Sequence, residues 1–131
     1  MIAIDTSAII AILQREPESD QFFERIADAP KRLISAVSLL EAGMVMQGRR
    51  GADGLINLHG LLRFIDAEII PFDRDQSQIA VEAFIRYGRG NHAKARLNMG
   101  DCASYALAHS RRIPLLFKGQ DFAATDIVSA I

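Results

Sequence analysis

Apolar residues follow two rhythms along this chain. Short unbroken runs, "MIAI" (1–4), "RLISA" (32–36), "AEII" (67–70) and "PLLF" (114–117), have the length and the Ile/Leu content of buried strands. A fifth strand is expected at "DIVSAI" (126–131). Between them the apolar positions recur every three or four residues, which predicts helices over 6–15, 18–28, 38–50, 54–66, 75–88 and 101–112. Phe22, Phe23 and Ile26 share one face of the second helix, and Ala103, Ala106 and Leu107 share one face of the last. Strands that are apolar throughout and alternate with helices predict a mostly parallel sheet of four or five strands, covered on both sides. The pattern is that of an α/β fold.

No repeat, low-complexity tract or Pro/Ser-rich linker interrupts the pattern, so residues 1–131 are expected to form one domain. The segment "GLINLHGLLRFI" (54–65) is apolar enough to require burial, against the core or against a second subunit. No run reaches the roughly 18 apolar residues of a membrane span. The opening "MIAID" meets an acid at its fifth residue and has no basic n-region, so no targeting segment is expected. One cysteine leaves no internal disulfide, which points to a reducing cytoplasm.

Fifteen basic residues balance 16 acidic ones, so net charge gives no general attraction to nucleic acid. Their distribution changes that picture. No acid lies between Glu82 and Asp101, while Arg86, Arg89, His92, Lys94 and Arg96 all fall there. The stretch "RYGRGNHAKAR" (86–96) reads as a loop or a loose helix end. It is either an ordinary solvated loop or a strip that contacts phosphates.

The acids fall at junctions. Ligands of open parallel α/β sheets sit beyond the carboxyl ends of the strands, where loops lead into helices. Asp5 ends the first strand, Glu41 follows the second, Asp101 opens the last helix, and Asp121 follows the fourth strand. Each has a purely structural alternative: Asp5 or Asp101 as a helix cap, and Ser38 with Glu41 as a capping box. Together they would crowd negative charge, and several carboxylates in one place either hold protons or require a cation. Oxygen-rich carboxylate sites favour Mg²⁺ or Mn²⁺, and such an ion beside a basic strip suits phosphodiester hydrolysis. A thiol enzyme fits less well, because none of His59, His92 or His109 is placed to activate Cys102, which is expected to be a small buried apolar residue. No nucleophile elbow, phosphate loop, dinucleotide fingerprint or zinc-ligand spacing occurs.

The blocks "MIAIDTSAIIAIL", "SAVSLLEA", "YGRGNHAKARLNMGDCASYALA" and "PLLFKGQDFAATDI" resemble, in order and spacing, the PIN-domain family, and more narrowly its VapC-type toxins. The resemblance runs from Met1 to about Ile127 and implies a PIN-like three-layer α/β/α fold. It further implies a metal-dependent endoribonuclease, homodimeric, whose products carry a 5′-phosphate and a 3′-hydroxyl, and which a cognate VapB-like antitoxin inhibits. The family's acidic site falls on Asp5, Glu41, Asp101 and Asp121, the same four residues. Asp5 and Asp101 would hold Mg²⁺, or Mn²⁺, most directly, while Glu41 and Asp121 complete the shell and place the attacking water. Thr6, Thr125 and Asp126 would support them from behind. Gln120 stands where the family often has Asn or an acid, so no ligand is assigned there. Arg86, Arg89, His92, Lys94, Arg96 and Lys118 would hold the RNA backbone. Two alternatives stay open: an idle PIN-like module that only binds RNA or a partner, and a receiver-like phosphoacceptor built on Asp73 and Lys118. A haloacid-dehalogenase-type phosphatase would need an acid two residues after Asp5, where the chain has Ser7.

Overall fold

The computed structural model describes residues Met1–Ile131. Its element order is β1 (Ile2–Ile4), α1 (Thr6–Leu13), α2 (Ser19–Asp28), β2 (Arg32–Ser35), α3 (Ala36–Phe64), β3 (Glu68–Ile70), α4 (Arg74–Tyr87), α5 (Met99–Arg111) and β4 (Leu115–Leu116). The four strands form one sheet in the order β3-β2-β1-β4, with every pairing parallel. Alternation along the strands divides the core in two. Ile2, Ile4, Ile34 and Leu116 face the layer of α1, α2 and α3. Ala3, Leu33 and Leu115 face the layer of α4 and α5. The three-layer arrangement is the one the sequence pattern predicts.

One expected break holds and two boundaries differ from expectation. The two helices expected at 38–50 and 54–66 are both present as the two halves of α3, separated by a break at Gly51, whose φ of 61° and ψ of −144° are non-helical and suit only glycine. The expected fifth strand shrinks to a single parallel bridge between Leu115 and Ser129, because the chain around it makes only two backbone bonds there, Leu115 N–H to Val128 O and Ala130 N–H to Leu115 O. The helix expected from Asp101 starts two residues earlier, at Met99.

The apolar segment 54–65 packs mainly inward. Leu58, Leu62 and Ile65 are buried in the first core, while Ile56 and Phe64 are exposed, with Phe64 stacked on Phe23 at 5.8 Å. No helix is long and apolar enough to cross a membrane.

Candidate active site

Order 3-2-1-4 puts β1 in the sheet interior, and Asp5 leaves its carboxyl end with its own N–H bonded to Leu116 O at 2.9 Å. Asp5 is the N-cap of α1, its Oδ2 accepting the Ser7 N–H at 3.0 Å. The cap expected of Asp5 therefore forms, through Oδ2. Its carboxylate is buried and held by three donors: the Ser7 N–H, the Ser7 hydroxyl (2.6 Å, to Oδ2) and the Ser104 hydroxyl (2.5 Å, to Oδ1).

Asp101 stands at the third position of α5, in a reciprocal capping box with Asn98. The Asp101 N–H donates to Asn98 Oδ1 at 2.8 Å, and the Asn98 N–H donates to Asp101 Oδ2 at 3.1 Å. Burial raises the Asp101 carboxyl from its ordinary 3.8 to about 7, against the Asn98 hydrogen bond, and the charges of Asp5, Asp121 and Glu41 push it further in the same direction. The four acids therefore share one electrostatic neighbourhood.

Glu41 reaches this neighbourhood through a gap in α5. A methyl group placed on Gly100 would stand 2.6 and 2.8 Å from the two Glu41 carboxylate oxygens. Gly100 sits inside the helix, and its missing side chain is the space that Glu41 fills. The expected capping box of Ser38 with Glu41 does not form. Ser35 is the N-cap of α3, accepting the Val37 N–H at 3.2 Å, so Ser38 and Glu41 both lie within the helix. Asp121 lies exposed in a turn after β4 rather than at the start of a helix, and contributes its charge from the rim.

No three His, Cys, Asp or Glu side chains converge tightly enough to enclose an ion on protein ligands alone. The donor set is that of an open oxygen site, which fits Mg²⁺, a cation that keeps several waters and takes one or two carboxylates. Asp101, raised to about 7 by burial and then by the charges of Asp5, Asp121 and Glu41, also fits a cation on electrostatic grounds.

The expected supporting residues, Thr6, Thr125 and Asp126, make their hydrogen bonds to groups other than the four acids. The Thr6 hydroxyl donates to Ser38 O at 3.3 Å and ties α1 to α3. Thr125 donates to Phe122 O at 2.7 Å and accepts the Ile127 N–H, closing a local turn. Asp126 accepts the Tyr105 hydroxyl at 2.7 Å, which together with burial raises the Tyr105 pKa. The hydroxyls that do reach the acids, Ser7 and Ser104, carry no mark in the sequence beyond spacing. Ser104 follows Asp101 by three and so shares its helix face.

The basic strip divides. Arg86 lies 4.8 Å over the Tyr87 ring and donates to the Tyr87 hydroxyl at 2.9 Å. His92 accepts the N–H groups of Lys94 and Ala95 and packs beside Tyr87 at 5.8 Å, so it shapes the loop. Arg89, Lys94 and Arg96 are exposed and form no salt bridge. Lys118 differs from expectation: its Nζ pairs with Glu16, and with Glu18 at 3.4 Å, so its charge is largely spoken for. That pairing, with sheet order, also removes the receiver-like alternative. β3 and β4 lie at opposite edges of the sheet, and Asp73 caps α4 by accepting the Gln76 N–H at 2.9 Å. Cys102 is buried with Ala106, and burial followed by the Asp101 charge pushes its thiol up to about 11. It is a packing residue.

Beside the acids, Val37, Leu40, Phe72, Phe84, Met99 and Ala103 help line an apolar groove of about 430 Å³. Leu40, Val81 and Met99 on its margin are exposed.

The fold is a parallel α/β sheet with carboxylates beyond the ends of its strands. The PIN domain pattern matches residues 2–128. Ribonuclease VapC of Mycolicibacterium smegmatis is 42% identical over 128 residues, which is 98% of this chain and 98% of that protein. The chain belongs to the PIN domain family, on the branch of the VapC ribonucleases. Solved structures agree on the fold. Mycobacterium tuberculosis VapC20, described as a Sarcin-Ricin loop cleaving toxin, superposes with a TM-score of 0.80 at 18% identity, over 98% of this chain and 97% of that one. A chain of a toxin–antitoxin complex from Klebsiella pneumoniae superposes with a TM-score of 0.72 at 22% identity, over 100% and 98%.

Proposed function

We propose that this chain is the toxin of a type II toxin–antitoxin pair, an Mg²⁺-dependent endoribonuclease acting as one PIN-like domain over residues 1–131. The observation that carries the reading is Asp101, a buried carboxyl raised to about 7 by burial and by three neighbouring acids. Such a site is unfavourable when empty and becomes favourable with a cation. The 42% identity to a ribonuclease VapC supports the same reaction class.

Asp5 and Asp101 are the direct ligands. Glu41, seated against Gly100, and Asp121, at the rim, complete the shell and orient the attacking water. Bound there, Mg²⁺ or Mn²⁺ supplies a water of lowered pKa and neutralises charge on the phosphodiester. Asp5 arrives preoriented by its serine hydroxyls, and Asp101 is fixed by Asn98. Arg89, Lys94 and Arg96 hold the RNA backbone, which positions the strand without selecting its sequence. Hydrolysis leaves a 5′-phosphate and a 3′-hydroxyl. The protein works in the cytoplasm as a homodimer and is inhibited by a VapB-like antitoxin. The exposed rim of the apolar groove suits protein contacts of that kind.

Expression in a bacterial host tests this reading. The wild-type chain should arrest growth, coexpression of the small protein encoded beside it should restore growth, and Asp101→Asn should be harmless at equal protein level. Arrest by Asp101→Asn as strong as wild type would overturn the assignment.

A further inference from the structure

Asp5 has two carboxylate oxygens, each able to accept about two hydrogen bonds. Oδ2 accepts both the N–H and the hydroxyl of Ser7, so its capacity is filled. Oδ1 accepts only the Ser104 hydroxyl and keeps one lone pair. Ser104 Oγ also lies 3.2 Å from Ser38 Oγ. A serine hydroxyl has a single proton, and the Ser104 proton is committed to Asp5, so Ser38 must be the donor of that contact. The protons therefore run in one direction, from Ser38 to Ser104 to Asp5 Oδ1. Ser38 and Ser104 are 0% and 1% exposed, so water does not compete for these bonds. Each link in such a chain polarises the next.

The two serines also stand in register with two of the other acids. Ser38 precedes Glu41 by three residues on α3, and Ser104 follows Asp101 by three on α5. Residues three apart share a helix face. A hydroxyl thus sits one turn from each helical acid, and the pair joins both helices to the end of β1.

We propose that Ser104, oriented by Ser38, is a positioning residue for cation binding. It fixes Asp5 so that one lone pair of Oδ1, and nothing on Oδ2, is presented to the ion. The proposal rests on the reading of Asp5 as a metal ligand. Partners behind a ligand change metal affinity by about 10- to 100-fold when removed.

Binding of Mn²⁺ to the full chain, followed by electron paramagnetic resonance without RNA, reads this directly. Ser104→Ala should weaken Mn²⁺ about tenfold and Ser38→Ala by a smaller factor, and the double variant should be no weaker than Ser104→Ala, since the first serine acts through the second. Ser104→Thr, which keeps the hydroxyl, should recover most of the affinity. Melting in EDTA shows whether each variant is folded. If Ser104→Ala is not, Ser104→Cys, similar in size and a weak donor, is held to the same tenfold criterion. Asp5→Asn separates the two claims. If it loses Mn²⁺ while Ser104→Ala binds within about twofold of wild type, the positioning role is wrong and the ligand reading stands. If Asp5→Asn binds Mn²⁺ as wild type does, the ligand reading itself is wrong.

Discussion

Replacing Asp101 by Asn should make the metal-free protein more stable while abolishing its activity. The Asp101 carboxyl has a folded value of about 7 against an ordinary 3.8. The native state therefore holds this proton more tightly than the unfolded chain does. The stability associated with it is fully present below about pH 4 and is lost as pH rises through about 7. At about 1.4 kcal/mol per pH unit the gap is worth up to about 4 kcal/mol. Relaxation and water entry reduce such figures, and about 2 kcal/mol is the effect to expect. Asn keeps an oxygen for the Asn98 N–H but carries no charge. In a domain of this size each kcal/mol moves Tm by about 3–5 °C, so Asp101→Asn in EDTA near pH 8 should melt about 6–10 °C above wild type. Near pH 5 the folded wild-type carboxyl keeps its proton, and the difference should fall to less than about half. Added Mg²⁺ should raise the wild-type Tm near pH 8 and leave the variant unmoved. A variant that melts at or below wild type in EDTA near pH 8 would refute the buried-charge argument.

Gly100→Ala should leave helix α5 folded, since alanine is the better helix former, yet reduce Mg²⁺-dependent cleavage by about tenfold or more through displacement of the Glu41 carboxylate. Unchanged turnover would show that Glu41 has no role where it sits. Removing Arg89, Lys94 or Arg96 singly should weaken RNA binding and lower the salt slope by about one each, whereas Lys118→Ala should leave the slope unchanged because its charge is already paired. A filter-binding series in salt distinguishes these outcomes. The Cys102 thiol should resist alkylation in the native protein near pH 8 and react only after denaturation, and Cys102→Ala should retain cleavage. Rapid native labelling would contradict its burial.

The parallel sheet and the acids at its edge were legible because each apolar run is short and is followed closely by a carboxylate. Asp5 is the plainest case, since it ends β1 and caps α1 at once. The break expected between residues 50 and 54 was legible because glycine usually marks a helix end. Gly51 leaves the helical region there, and the two halves of α3 meet at that kink. Gly100 makes room for a side chain 59 positions away, Glu41, a contact that no local pattern marks. The serines were invisible for a similar reason. Ser7 was only one of two hydroxyls following Asp5, and nothing local marks Ser104 as lying 99 residues from its partner. Lys118 read as a free cation because Glu16 and Glu18 come from the turn between α1 and α2, 102 and 100 residues away in sequence. Charges expected to meet RNA can be neutralised by contacts that only the fold creates.

The most direct test of the acidic site is cleavage of RNA by the purified chain with Mg²⁺, in EDTA, and in the Asp5→Asn variant, with both new ends mapped. Discrete cuts that need Mg²⁺, bear 5′-phosphate and 3′-hydroxyl ends, and vanish in folded Asp5→Asn are the expected result. Equal cutting in EDTA, ends with a 2′,3′-cyclic phosphate, or full activity in Asp5→Asn would contradict it.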